Sequence, residues 1–485
     1  MKFLTANEVA RLIQHGELTS AEATEFHLSR IKTLNPSLNA FVYENSTATR
    51  AAARNRDLAQ INNEPLGLLH GVPISIKECF LWANTPTTLN FPPKRAYQAN
   101  ETSILVKRLL DAGAVILGKT NVPTLLADAQ TFGPLYPTAN NPFNLDYTPG
   151  GSTGGGAAAV AAGLSCFELG SDIGGSIRNP ASFCGLFGLK PTENGYASDG
   201  HVPPYPEKNI GISVMNHTGP LARSVADLQL AYNVLYQADW QRLRYLPIDT
   251  QPSVINPSAE KPLTGCTIGY FDTLMGLQAG SDVQRAMVAM RNKVEAAGAK
   301  TVRITIDNDL AERMIKVWAT LFGFMLGLNL AWPVRKIFHW KFNPALKASR
   351  LPASEELKRG LSLDAQAFSS ALAAREQLIA EVNELFSQCD SVLSPTALGP
   401  AFPHNHKHHK IMLDGEAIPY LDYCFPFVAF YNLTGHPVLT VPAGLNANGL
   451  PVGLSLSAPH HHEQHLFALG AVLEQLGYRF QAPEL

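Results

Sequence analysis

Apolar positions along this chain switch repeatedly between helical and strand-like spacing. Thr5 with Glu8, and Thr19 with Glu22, each fit a capping box, so helices are predicted to open at both threonines and to stop at Asn35-Pro36. Residues 66–76 are short, apolar and broken by glycine and proline, which predicts strand and loop ending at Lys77. Residues 103–112 read as helix and 114–118 as strand. Small residues at 154–162 suit a tightly packed helix, with a strand at 167–170 after it. Another helix is predicted from Ser224, its cap completed by Asp227, to about residue 237. A proline-rich connection at 252–262 leads to a strand (266–271), a helix (282–297), a strand (301–306), a helix (367–386), a strand (391–394) and a last helix (463–476). Strands alternating with helices predict an α/β fold with a parallel or mixed sheet.

One stretch, VWATLFGFMLGLNLAWPV at 317–334, carries no charge and is followed by Arg335, Lys336 and Lys341. Its length is at the bottom of the transmembrane range, and Asn329 and Pro333 interrupt it. The favoured reading is a buried helix lining the core or a pocket. The alternative is an apolar cap that admits lipid-like chains, or touches a membrane surface with its basic residues at the headgroups.

The net charge of −2 over 485 residues comes with no basic run, which argues against a nucleic-acid partner. None of the 6 cysteines forms a CxxC pair; they read as buried thiols in a reducing compartment. MKFLTANEVARL has no apolar signal-peptide core, so a cytoplasmic location is expected. The histidines concentrate in two tracts, His404, His406, His408 and His409, then His460, His461, His462 and His465. Exposed loops are favoured there over a shared metal ion, and no metal is expected.

Residues 150–192 read GGSTGGGAAAVAAGLSCFELGSDIGGSIRNPASFCGLFGLKPT, with Ser152 and Ser176 each set in glycine. Such flanks permit tight turns, leave the hydroxyl accessible and let backbone N–H groups converge on one oxygen. A serine nucleophile needs a base. Lys77 lies upstream in GVPISIKE, and burial beside Ile74, Ile76 and Phe80 would disfavour its ammonium form. Asp172 and Arg178 bracket Ser176 with opposite charges and read as a pair bracing the loop; Glu78 reads as structural. A phosphate-binding loop needs Lys-Ser or Lys-Thr after the glycines, and neither follows here. Lys77-Glu78-Cys79 has the residue types of a nitrilase-like set, but chain neighbours cannot approach one substrate from three directions.

This block closely resembles the amidase signature family, serine amidohydrolases with a Ser-cisSer-Lys triad, whose usual text is GGSSGG followed by GSDxGGSIRxPAxxxGxxGxKPT. Family-like text at 432–444 and 449–456, and the N-terminal LTANEVARLIQHGELTSAE, extend the likeness over most of the chain. The resemblance implies one domain over 1–485, with a signature core at about 60–225, an apolar cap or pocket segment at about 311–345, and a central mixed sheet covered by helices on both faces. It implies Ser176 as nucleophile, Ser152 as bridging serine after a cis bond from Gly151, Lys77 as base, and an oxyanion hole from the backbone of Ile173, Gly174, Gly175 and Ser176. No cofactor is implied. Thr153 departs from the family's second serine but keeps a hydroxyl for hydrogen bonding, and Glu78 stands where aspartate is common. Leu125, Leu126 and Phe132 are candidates for the acyl pocket.

The expected activity is hydrolysis of a hydrophobic acyl or aryl amide to acid plus ammonia or amine, through an acyl-enzyme. Fatty acid amide hydrolases of the family carry apolar helices like 317–334, so lipid amides are candidates. The expected partner is a small-molecule amide; peripheral membrane contact and a homodimer are allowed. The runner-up is the glutaminase subunit of a tRNA-dependent amidotransferase, which the apolar stretch and the histidine-rich C-terminal loops disfavour. A non-catalytic binding protein on the same fold is a third reading, against which Lys77, Ser152 and Ser176 weigh together.

Overall fold

Local signals set many of the element ends. The computed structural model describes residues 3–195, 199–202, 214–236, 255–328, 335 and 344–485. Thr5 and Thr19 each close a capping box, opening helices Ala6–Gln14 and Ser20–Leu38. The second helix runs through Pro36 instead of stopping there. A proline in the last turn forfeits only one intrahelical bond, and the added turn buries Leu38 completely before Asn39 ends the helix at φ 51°. At Ser224 the cap is half of what the sequence predicts. The Ser224 hydroxyl accepts from the Asp227 N–H, but the Asp227 carboxylate turns away to accept from the Asn7 N–H (3.0 Å) and Asn7 Nδ2 (2.9 Å). It thereby ties helix Val225–Leu235 to helix Ala6–Gln14. Residue 237 and the start of the proline-rich connection, 252–254, lie outside the described residues.

The strands in chain order are β1 (Phe41–Glu44), β2 (Pro73–Lys77), β3 (Val115–Thr120), β4 (Phe167–Asp172), β5 (Phe187–Lys190), β6 (His217–Ala222), β7 (Thr267–Tyr270), β8 (Thr273–Leu274), β9 (Leu277–Gln278), β10 (Lys300–Arg303), β11 (Ser391–Pro395), β12 (Ile411–Leu413), β13 (Glu416–Ile418), β14 (Val438–Leu445) and β15 (Pro451–Ser457). Among the described residues, two small hairpins (β8–β9 and β12–β13) accompany an 11-stranded sheet in the order β1-β3-β2-β4-β6-β5-β14-β15-β11-β7-β10. The sheet is mixed: β2 runs parallel to β3 and β4, whereas β6 pairs antiparallel with β4 and β5. The centre, β5, β6, β14 and β15, was not predicted from spacing. These strands are almost wholly buried, so they lack the apolar-polar alternation of a half-exposed strand.

Helices flank both faces. Ile74 and Ile76 of β2 and Phe167 and Leu169 of β4 share a core with helices Ala6–Gln14, Val225–Leu235 and Glu463–Gln475. On the other side Leu117 packs with Leu28 and Ile31 of helix Ser20–Leu38 and with Ala158 and Ala159. Those alanines belong to helix Gly154–Ala161, which lies so close to the sheet that a Cβ at Gly155 would sit 2.3 Å from the Asn121 backbone nitrogen, and one at Gly156 2.4 Å from the Glu168 carboxyl. This close approach fixes where Ser152, just before the helix, must lie. Helix Asn308–Leu328 packs against helices Ala365–Asn383 and Pro426–Thr434. No helix among the described residues is long and apolar enough to cross a membrane. Residues 329–334, Lys336 and Lys341 lie outside them.

Candidate active site

Lys77 ends β2, and Ser171 lies near the end of the adjacent parallel strand β4. The peptide bond between Gly151 and Ser152 is cis. The Lys77 Nζ donates to Ser152 Oγ at 2.7 Å, Ser171 Oγ at 3.0 Å and the Ser171 carbonyl at 3.2 Å. Three partners match the three N–H bonds of an ammonium; on deprotonation the lone pair could instead accept from the Ser152 hydroxyl. Burial pushes the amine down to about 8, with Cys79, Asp172 and Glu168 opposing only in part. The Thr153 hydroxyl donates to the same Ser171 carbonyl at 3.3 Å, and the Thr153 N–H donates to the Ser176 carbonyl at 3.1 Å. The backbone of Ser176 is therefore stitched to the residue after Ser152. Both serines face one cavity, although no hydrogen bond joins their hydroxyls among those described.

The turn from Asp172 to Arg178 is held from within. Asp172 accepts from the Gly175 N–H (2.8 Å), the Ile177 N–H (3.0 Å), Arg178 Nε (3.0 Å) and Nη2 (2.9 Å), and Asn432 Nδ2 (2.8 Å). Both partners of this ion pair have 0% side-chain exposure. Burial pushes the Asp172 carboxyl up, but the Arg178 charge and these hydrogen bonds outweigh it and hold it well below the usual carboxylate range. One expectation changes as a result: the Gly175 N–H is occupied by Asp172 and is not available to an oxyanion. Ile173, Gly174 and Ser176 retain N–H groups without an acceptor among the described residues.

The cavity measures about 200 Å³, and its walls are mainly apolar, including Leu89, Phe91, Trp318, Phe322, Met325 and Phe425. Leu125 and Leu126 line it from a short turn at φ 56° and 60°. Phe132 does not. The chain has turned away by then, and the ring stacks on His406 at 4.4 Å. Glu78 accepts from the Thr88 hydroxyl (2.9 Å), the Leu89 N–H (3.0 Å) and the Tyr136 hydroxyl (3.0 Å), fixing Leu89 in the wall. The Trp318 indole donates to the Ile173 carbonyl at 3.2 Å, joining the apolar helix to the turn. Asp128, also on the wall, accepts from the Gln130 N–H (3.1 Å) and the Tyr420 hydroxyl and pairs with His408 (2.7 Å).

In the histidine tracts, His404 meets the Leu145 carbonyl (3.1 Å), His406 meets Thr138 (3.3 Å), and His465 meets Ser391 (3.1 Å). His460 bonds the Thr434 carbonyl (2.8 Å) and packs on His436, ring to ring, at 3.9 Å. Among the described residues no three His, Cys, Asp or Glu side chains are grouped to hold a metal ion. Sequence reasoning missed Ser171, Trp318 and His201. Ser171 stood inside the glycine-serine block and Trp318 inside the apolar stretch, whereas nothing distinguished His201.

The Amidase family model matches residues 22–467. A glutamyl-tRNA(Gln) amidotransferase subunit from Salinispora arenicola (strain CNS-205) is 30% identical over 504 residues, covering 99% of each chain. A bacterial aryl acylamidase of the amidase signature family superposes with a TM-score of 0.79 at 24% identity, over 98% of this chain and 96% of that one. Fatty acid amide hydrolase superposes at 0.80 with 23% identity, over 99% of this chain and 86% of its own. The two structural likenesses show a shared fold.

Proposed function

This chain belongs to the amidase family and is an enzyme of amide carbon–nitrogen bonds, and we propose that it hydrolyses a hydrophobic acyl or aryl amide through an acyl-enzyme on Ser176. The observation that carries this reading is the 2.7 Å bond from Lys77 to Ser152, with Ser152 and Ser176 on one cavity wall. Neutral Lys77 takes a proton from Ser152 as Ser152 takes one from Ser176. The Ser176 oxygen then adds to the amide carbon. The N–H groups of Ile173, Gly174 and Ser176 receive the negative charge on the carbonyl oxygen. The proton returns through Ser152 to the departing nitrogen, and water cleaves the ester to free acid and Ser176. Asp172 and Arg178 keep the turn in shape, and Thr153 holds the Ser171 carbonyl beside Lys77.

The apolar wall around Trp318, Phe322 and Met325 supports a hydrophobic acyl or aryl group over a charged amino acid. Six unpaired, buried cysteines support action in the cytoplasm. A second reading, the glutaminase subunit of a tRNA-dependent amidotransferase, is favoured by the end-to-end likeness to the Salinispora arenicola protein. Against it stands the apolar character of the described wall, whose charged residues are Lys94 and Asp128.

The test is amine or ammonia release from amides of increasing acyl length and from glutamine. Ser176→Ala should lose at least ~10³-fold in kcat/KM. Activity surviving in that variant would overturn the mechanism. Glutamine as the best substrate would select the second reading.

A further inference from the structure

His201 lies on the wall of the cavity that holds Ser152 and Ser176, and it is 4% exposed. The preceding Gly200 has φ +78°, and its carbonyl accepts from the Leu81 N–H at 2.9 Å, fastening this turn beside the end of β2. The imidazole packs against the Phe80 ring with centroids 5.0 Å apart. Neither Nδ1 nor Nε2 has a hydrogen-bond partner among the described residues, although both atoms are buried. Buried polar atoms are rarely left unpaired. Burial, with the nearby positive charge of Lys77, pushes the ring down to about 3, so it is neutral at working pH. A neutral imidazole presents one donor and one acceptor.

Several other polar groups on this wall are engaged. Ser152 and Ser171 serve Lys77, and Asp128 is shared by Tyr420, Gln130 and His408. Asn216 is not engaged, since its Oδ1 is also buried without a described partner on the same wall, and the Ser176 hydroxyl has no described hydrogen bond. The neutral His201 ring is matched by an uncharged group that donates or accepts, such as a hydroxyl or a carboxamide. A matching substrate group supplies the partner that the ring lacks.

We propose that His201 is a specificity-determining residue that hydrogen-bonds an uncharged hydroxyl or carboxamide on the substrate, so the preferred amide is hydrophobic over most of its length but carries one such group. This rests on the amidase reading of the site. It predicts a preference between substrates that the apolar wall alone would not give, because a site built around a polar group discriminates against the analogue lacking it.

The experiment compares kcat/KM for pairs of amides that differ by one hydroxyl or one carboxamide along the acyl or amine chain. At least one pair should favour the polar member by about tenfold or more in the unaltered enzyme. His201→Leu should bring that ratio near one, while His201→Gln, which keeps a donor and an acceptor, should retain most of it. Fluorophosphonate labelling of Ser176 at the unaltered rate shows that the site is intact. If His201→Leu fails to label, His201→Phe takes its place. A ratio unchanged within about twofold in the apolar variant, or no polar preference in any pair, overturns the proposal. Absence of both hydrolysis and label in the unaltered enzyme overturns the amidase reading itself.

Discussion

Replacing Lys77 with methionine tests the electrostatics of the site independently of any substrate. The Lys77 amine is wholly buried and sits at about 8, against 10.5 for an ordinary lysine. Between those values the unfolded chain binds more proton than the native one, so native stability rises with pH across the window. Below about pH 8 both states are protonated, and the native state bears the full cost of a buried ammonium. At ~1.4 kcal/mol per pKa unit, the interval amounts to about 3 kcal/mol. Urea unfolding of the wild type and Lys77→Met should therefore show a stability difference that moves by about 3 kcal/mol in favour of the wild type between about pH 7 and about pH 11. Lys119, also pushed down to about 8 by burial, titrates in both proteins and cancels in the difference. Fluorophosphonate labelling of the wild type should rise with pH around a midpoint near 8 as Lys77 becomes able to accept a proton. A flat stability difference over the whole range would refute the buried-amine argument, whatever the enzyme hydrolyses.

Arg178→Met leaves the Asp172 carboxylate buried without its counter-ion and should cost ~3–5 kcal/mol in urea unfolding, with hydrolysis lost as the Asp172–Arg178 turn relaxes; a loss below ~1 kcal/mol would contradict the pairing. Gly155→Ala places a Cβ 2.3 Å from the Asn121 backbone nitrogen, so the helix must move off the sheet. We expect a loss of ~1–3 kcal/mol or more together with slower Ser176 labelling, and a variant as stable and reactive as wild type would show that the close approach is dispensable.

What was legible in the sequence divides along physical lines. The caps at Thr5 and Thr19 were readable because donor and acceptor lie within one helical turn. Lys77, Ser152 and Ser176 were readable because a long glycine-rich block surrounds the serines. Asp172 and Gly175 could have been paired in advance, since an aspartate often accepts from an N–H a few residues on. Ser171 could not, because its meeting with Lys77 depends on β2 and β4 lying side by side. Phe132 misled because closeness in sequence to Leu125 and Leu126 says nothing once the chain reverses at positive φ. Strands β5, β6, β14 and β15 went unseen because burial on both faces erases the period-two signal.

The bond from Arg178 to Asn432 spans 254 residues of chain, and β5 finds its second neighbour, after β6, only in β14. On a ribosome adding ~5–20 residues per second, roughly 10–50 s separate synthesis of the Asp172–Arg178 turn from synthesis of the asparagine that helps brace it. Throughout that interval the emerging polypeptide holds Lys77, Ser152 and Ser176 but lacks the scaffold that aligns them. On the proposed mechanism the nascent chain is therefore inert towards amides, and a product terminated before Asn432 would be a silent fragment, not a partial enzyme.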